Sequence, residues 1–148
     1  EIQHLRFADR VTLAFEQLPE EAGHLIVPKL IVQPLIENAY EHGIKTKLTG
    51  GVICVGFKLE ANILCICVED NGEGLTDEML SKLQNELTMP AENNNEANSI
   101  ALVNIQQRLR LFYGNGSCLK LSRSSLGGLN ATLWLMEVNK HVARVDGR

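Results

Sequence analysis

From Pro28 to His42 the apolar residues Leu30, Ile31, Leu35 and Ala39 recur at helical spacing, with Pro28 suited to the first turn. Pro34 inside that run removes one backbone donor and predicts a local bend. The pattern differs on either side. Val11 to Leu18 alternates as a short strand and is followed by a polar turn at Pro19 to Gly23. Val52 to Glu60 and Ile63 to Glu69 read as two strands joined only by Ala61 and Asn62, a hairpin signal. Thr76 is placed to cap a helix running to about Leu87. From Leu87 to Ser99 there is no periodicity, and small, polar and amide residues predict a mobile surface loop. Helical spacing returns through Leu102, Ile105, Leu109 and Phe112, which places a helix over Ile100 to Tyr113, stopped by Gly114. Two last strands, about Ser117 to Ser124 and Leu129 to Val138, flank Gly127-Gly128. Helices alternating with antiparallel-looking strands predict an α/β two-layer sandwich, its mixed, mostly antiparallel sheet covered by helices on one face.

A chain of 148 residues, 45% of them hydrophobic, suits one compact core. We place that domain at 1–140, with a polar tail at 141–148. Net charge is -4 without a long basic run, so nothing here invites nucleic acid or an anionic membrane. No apolar stretch approaches the ~20 residues that cross a bilayer, and Glu1 to Arg10 lack a secretion-signal layout. Those first residues are charged and helix-compatible, and read as a piece continuing from something longer. Cys54, Cys65, Cys67 and Cys118 show no Cys-x-x-Cys spacing, so they are expected to be reduced, buried thiols rather than metal ligands.

Candidate chemistry gathers on the first long helix and the end of the hairpin. At about 100° per residue, Asn38 falls close to the stripe of Ile31, Leu35 and Ala39, where its carboxamide needs either a backbone partner or a ligand. Glu37 lies next to it around the helix and His42 one turn on, so the three are placed to line one edge of a pocket. Strand parity puts Leu64, Ile66, Val68 and Asp70 on one face. A carboxylate ending an apolar row needs donors or a proton. The amino group of a purine is one such donor, and a turn-forming role for Asp70-Asn71-Gly72 is the other reading. Gly72 and Gly74 then give backbone freedom. There is no Gly-x-x-x-x-Gly-Lys-[Ser/Thr] loop.

At these residues the sequence resembles the ATPase superfamily shared by histidine kinases, gyrase, the heat-shock chaperone and mismatch-repair proteins. Val27-Pro-Lys-Leu-Ile-Val-Gln-Pro-Leu-Ile-Glu-Asn-Ala-Tyr-Glu-His-Gly43 is similar to the signature of the LytS-like sensor kinases. Glu1-Ile-Gln-His-Leu-Arg-Phe7 resembles that family's entry into its ATPase domain, and Asn104 to Gly114 its helix after the lid.

The resemblance implies a Bergerat-type ATP-binding fold with ATP and Mg²⁺ as ligands. It implies that Asn38 carries Mg²⁺ with the phosphates, that Asp70 receives the adenine amino group, and that Gly72 and Gly74 let backbone approach the base. Glu37 and Asn38 are thereby the candidate catalytic residues, and His42 reaches toward the nucleotide. The segment 75–99 is implied to be the ATP lid, with Ser99, Ala101 and Leu102 at its end. The implied reaction moves the γ-phosphoryl group to a histidine on a dimerisation helix outside this chain, in a homodimer. A response regulator receives it next. The implied location is the cytoplasmic part of a bacterial sensor held to the membrane by a separate region.

Three departures from the family pattern stand out. Ser99 and Ala101 replace the two glycines of a Gly-x-Gly-Leu-x-Asn signature. Glu41 stands where a base is common, and Gly127-Gly128-Leu129-Asn130-Ala131-Thr132 replaces a terminal Gly-x-Gly-Thr. These changes define an alternative: a degenerate, nucleotide-poor pseudokinase serving as a signalling and interaction module. An anti-sigma-type serine kinase or a mechanical ATPase is a third reading, which Gln33-Pro34 disfavours.

Overall fold

A computed structural model describes residues 3–7, 10–17, 29–88, 97–114 and 116–136. Among these, the chain runs β1 (Gln3–Phe7), β2 (Val11–Phe15), α1 (Lys29–Ala39), a π-helical turn (Tyr40–Ile44), β3 (Gly51–Glu60) and β4 (Ile63–Asp70). It continues through α2 (Asp77–Glu86), α3 (Ala97–Tyr113), β5 (Cys118–Arg123) and β6 (Leu129–Leu135).

The strands form one six-stranded sheet in the order β1-β2-β3-β4-β6-β5. Among the described strands only β2 and β3 pair in parallel. This is the expected mixed, mostly antiparallel sheet. The helical layer covers one face: Leu64, Ile66 and Val68 of β4 lie buried against Ile31 and Leu35 of α1 and Leu102, Ile105 and Leu109 of α3. Burying each such side chain contributes about 1.5–3 kcal/mol, so the parity of β4 alone fixes which face turns inward.

Several local expectations differ from the structure. The first residues, read as helix-compatible, form β1, because pairing with β2 supplies hydrogen-bond partners that a charged, isolated helix lacks. The described part of β2 stops at Phe15 rather than Leu18. The helix α3 starts at Ala97 rather than Ile100. α1 ends its regular turns at Ala39 and widens into the π turn, where the Lys45 N–H donates to the Tyr40 carbonyl at 2.8 Å. The cysteines are half-buried rather than buried, free of disulfides; Cys65 and Cys67 occupy the β4 parity opposite the core. Segment 89–96 and the tail fall outside the described residues.

The edge strand β5 is closed by helix side chains. The Gln106 Oε1 of α3 accepts from the Leu119 N–H at 2.7 Å, and the Gln84 Oε1 of α2 accepts from the Leu121 N–H at 2.8 Å. Two amides thereby occupy donors that would otherwise be free to pair with another chain. The second of these bonds also ties α2 to the sheet.

Candidate nucleotide-binding site

Asn38 sits on the inner face of α1, 8% exposed, beside Ile31, Leu35 and Ala39. Its Oδ1 is buried and has no hydrogen-bond partner among the described residues. An orphaned buried carbonyl costs about 1–3 kcal/mol, so the helix holds an acceptor in reserve for something else. One turn later the π turn brings His42 and Gly43 to the same side. Gly43 packs so closely on Asp70 that a Cβ there would lie 2.5 Å from the carboxylate Oδ1.

Asp70 ends the apolar row of β4 as parity predicts, and is 3% exposed. Its Oδ1 accepts from the Gly72 N–H at 2.8 Å. Its backbone carbonyl accepts from the Gly128 N–H at 3.1 Å. Burial pushes the Asp70 carboxyl above its ordinary value, with the Gly72 and Leu129 N–H groups and the Lys47 ammonium pulling the other way. The ionised form is thus costly here and is held by backbone donors. Gly74 adopts φ +75°, which carries the chain past Gly127 and into the lead of α2.

These groups line one cavity: Asn38, His42, Gly43, Asp70, Gly74, Leu75, Leu83, Leu102 and Leu129. Its volume is about 50 Å³, room for a few waters and not for a purine. Leu75 and Leu83, the lead-in and inner face of α2, are the walls from the segment read as the lid. That segment is in part ordered helix: Thr76 Oγ1 accepts from the Met79 N–H at 3.2 Å, the predicted N-cap.

Asn38, His42, Asp70, Gly74 and Leu102 therefore converge, and Gly72 supports Asp70 from behind. Glu37 does not join them. It is exposed, accepts from Gln33 Nε2 at 3.2 Å, and faces a second hollow with Arg10, Tyr40 and Glu41. The 100° step from Asn38 is enough to turn Glu37 out of the first cavity. Glu41 is likewise exposed and pairs with Lys45 at 2.9 Å, lining the second hollow, so its charge does not line the first cavity. Ala101 is half-buried within α3, and the Ser99 side chain lies outside the description. The sequence reading did not single out Gly43, Leu129 or Lys47, and held Leu75 and Leu83 only as part of the implied lid. Gly128 was left unplaced, and its bond to Asp70 identifies it as the glycine that closes the site.

No family model matches the chain. The Sensor protein LytS of Streptococcus agalactiae is 34% identical over 127 residues, covering 85% of this chain and 21% of that protein. This chain is homologous to part of the LytS-like sensor histidine kinases. The LytS-like chain is also 31% identical to the Sensor histidine kinase YpdA of Escherichia coli over 115 residues, covering 78% of this chain and 19% of that one. It spans about a fifth of the length of these relatives. Its fold matches the crystal structure of the ATP-binding domain of PrrB from Mycobacterium tuberculosis at a TM-score of 0.59. That match has 21% identity and covers 88% of this chain and 82% of that domain.

Proposed function

We propose that this LytS-like chain binds ATP with Mg²⁺ and serves as the catalytic domain of a two-component sensor histidine kinase. The observation that carries this reading is the convergence of Asp70 with the partnerless Asn38 Oδ1 in one cavity. In this scheme the ionised Asp70 accepts the adenine amino group, while Leu75, Leu83, Leu102 and Leu129 supply the apolar contacts of the base. An uncharged amide oxygen is a fitting donor for a hard cation, so Asn38 would hold Mg²⁺. When bound, Mg²⁺ offsets the phosphate charge. His42, at the exposed edge of the cavity, is placed to donate toward the phosphates. Glu37 faces elsewhere and takes no step here.

The reaction breaks the bond between the γ-phosphorus and the ADP oxygen as a phosphorus–nitrogen bond forms to an acceptor imidazole, whose proton is lost to base. Positioning supplies most of the rate. The acceptor histidine would come from dimerisation helices outside this chain, in a homodimer, and the phosphoryl group would pass to a response regulator. A cytoplasmic location beside a membrane-held sensor region follows from the same reading; among the described residues no helix is long and apolar enough to span a bilayer. For a purine to enter, the lid segment 75–99 must move Leu75 and Leu83 outward, which fits a small cavity with a helix for its door.

The pseudokinase alternative rested on Ser99, Ala101 and Glu41, and Glu41 turns out to face away from the cavity. The deciding experiment titrates the chain with a fluorescent ATP analogue, with and without Mg²⁺. It then supplies a dimerisation-helix fragment of a LytS relative and scores phosphohistidine. Mg²⁺-dependent binding followed by transfer is expected. Absence of binding at millimolar ATP with the fold intact would defeat the proposal.

A further inference from the structure

The β3–β4 ladder ends in an irregular rung. Ile53 pairs with Asp70, so the next pair, Val52 and Asn71, should exchange two backbone hydrogen bonds in a regular antiparallel ladder. The Asn71 N–H does donate to the Val52 carbonyl, at 3.1 Å. The return bond is different: the Val52 N–H donates to the Asn71 side-chain Oδ1 at 2.8 Å. The carboxamide oxygen thus stands where the Asn71 backbone carbonyl would stand. The ladder closes while the main chain is already leaving the strand. The other end of the same amide, Nδ2, donates to the Gly50 carbonyl at 2.8 Å, at a left-handed corner (φ +69°) that leads into β3.

We infer that Asn71 is a positioning residue for nucleotide recognition, its carboxamide clamping the exit of β4 so that the Asp70 carboxylate is presented to the base. This rests on the proposed reading of Asp70. The physical chain is short. Asp70 is held through the Gly72 N–H, and Gly72 follows Asn71 directly, so the turn that aims this donor is set by where the Asn71 rung ends. The clamp also fixes the far end of the 45–50 segment, which carries Lys47, the cation acting on Asp70. Asparagine combines one-carbon reach with an acceptor oxygen and a donor nitrogen on separate atoms, so one side chain serves two backbone groups. Aspartate keeps only the acceptor and alanine keeps neither.

The test compares ATP with purine riboside triphosphate, which lacks the 6-amino group, for the wild type, Asn71→Ala, Asn71→Asp, Asp70→Ala and Asp70→Ala/Asn71→Ala. The wild type should prefer ATP by roughly 10–100-fold, the worth of a hydrogen bond to a charged group. Asn71→Ala should lose most of that preference and keep the Mg²⁺-dependent gain in affinity. Asn71→Asp should fall between, and serves in place of the alanine variant if that variant does not fold. The double variant should prefer ATP no less than Asp70→Ala alone. Equal weakening of both nucleotides in Asn71→Ala, with the wild-type preference retained, would reduce Asn71 to a structural residue and overturn the inference alone. A wild-type ratio near one would overturn the reading of Asp70 and this inference with it.

Discussion

Asp70 sets recognition against stability within one side chain. In the proposed reading its carboxylate accepts a donor from the base, yet burial holds its carboxyl above the ordinary value. Asp70→Asn should weaken ATP binding by about one to two decades. The same change should raise the melting midpoint of the nucleotide-free domain at neutral pH. The sign follows from linkage: a raised folded pKa means the folded state is penalised once the group ionises. The gain should therefore shrink as pH falls and vanish below pH ~4, where Asp70 is protonated in both the folded and the unfolded chain. Melting curves at several pH values check this; a loss of stability at neutral pH would contradict it. Asn38 invites a companion measurement. Because its Oδ1 has no partner to lose among the described residues, Asn38→Ala should abolish the Mg²⁺-dependent gain in ATP affinity without lowering the melting midpoint. A clear drop in that midpoint would identify a structural amide instead.

Among the elements, α2 is a wall of the cavity and, in the proposed scheme, its door. Thr76 caps it, Leu83 closes the cavity, and Gln84 bonds it to β5. Gln84→Ala should cost about 0.5–1.5 kcal/mol and speed hydrogen exchange across Asp77–Glu86 more than in β4. Uniform exchange changes would show that Gln84 does not anchor α2 specifically. The start of α3 is the complementary lever. Ser99 and Ala101 stand within the helix where the family pattern has glycine, and β-carbons favour helical turns there. Ser99→Gly with Ala101→Gly should loosen that end at about 0.5–1 kcal/mol per residue and tighten ATP binding if it hinges the lid. Unchanged affinity would remove these positions from closure. The β3–β4 hairpin carries an unrelated strain: Ala61 sits at φ 48° ahead of Asn62 at φ 67°. Glycine at position 61 needs no β-carbon in that region, and Ala61→Gly should raise the melting midpoint.

For the molecule as a whole, ligand linkage gives a measure that needs no acceptor histidine. Mg²⁺ with ATP at a hundred times the dissociation constant should add about 2.7 kcal/mol of stability. For a domain of this size that is roughly 5–10 °C in melting midpoint. Asn38→Ala should keep only the part of this shift that ATP gives without the metal. The outer face of the sheet takes no part in this scheme. There Lys120 stands over the Trp134 ring at 4.9 Å.

The one-dimensional pattern was sufficient for what depends on local periodicity. Helical spacing from Ile31 to Ala39, alternation along β4, the Ala61-Asn62 turn and the Thr76 cap are each short-range consequences of side-chain order. So is the placing of Asn38 and Asp70 on inward faces, because the period of an element determines which side chains share a side. Length and width of elements were less legible: β1 exists because β2 is there to pair with it, and the π turn places Gly43 against Asp70 from another strand. The contacts that complete the site join positions far apart in the chain, such as Gly128 with Asp70 and Leu83 with Leu102 around one cavity. Periodicity could say that Glu37 and Asn38 differ by one helical step; only the packed sheet decided that this step separates two hollows. The sequence by itself determined the faces and the family. The tertiary structure decided which faces meet, because burial and hydrogen-bond satisfaction are properties of neighbours that the order of residues does not name.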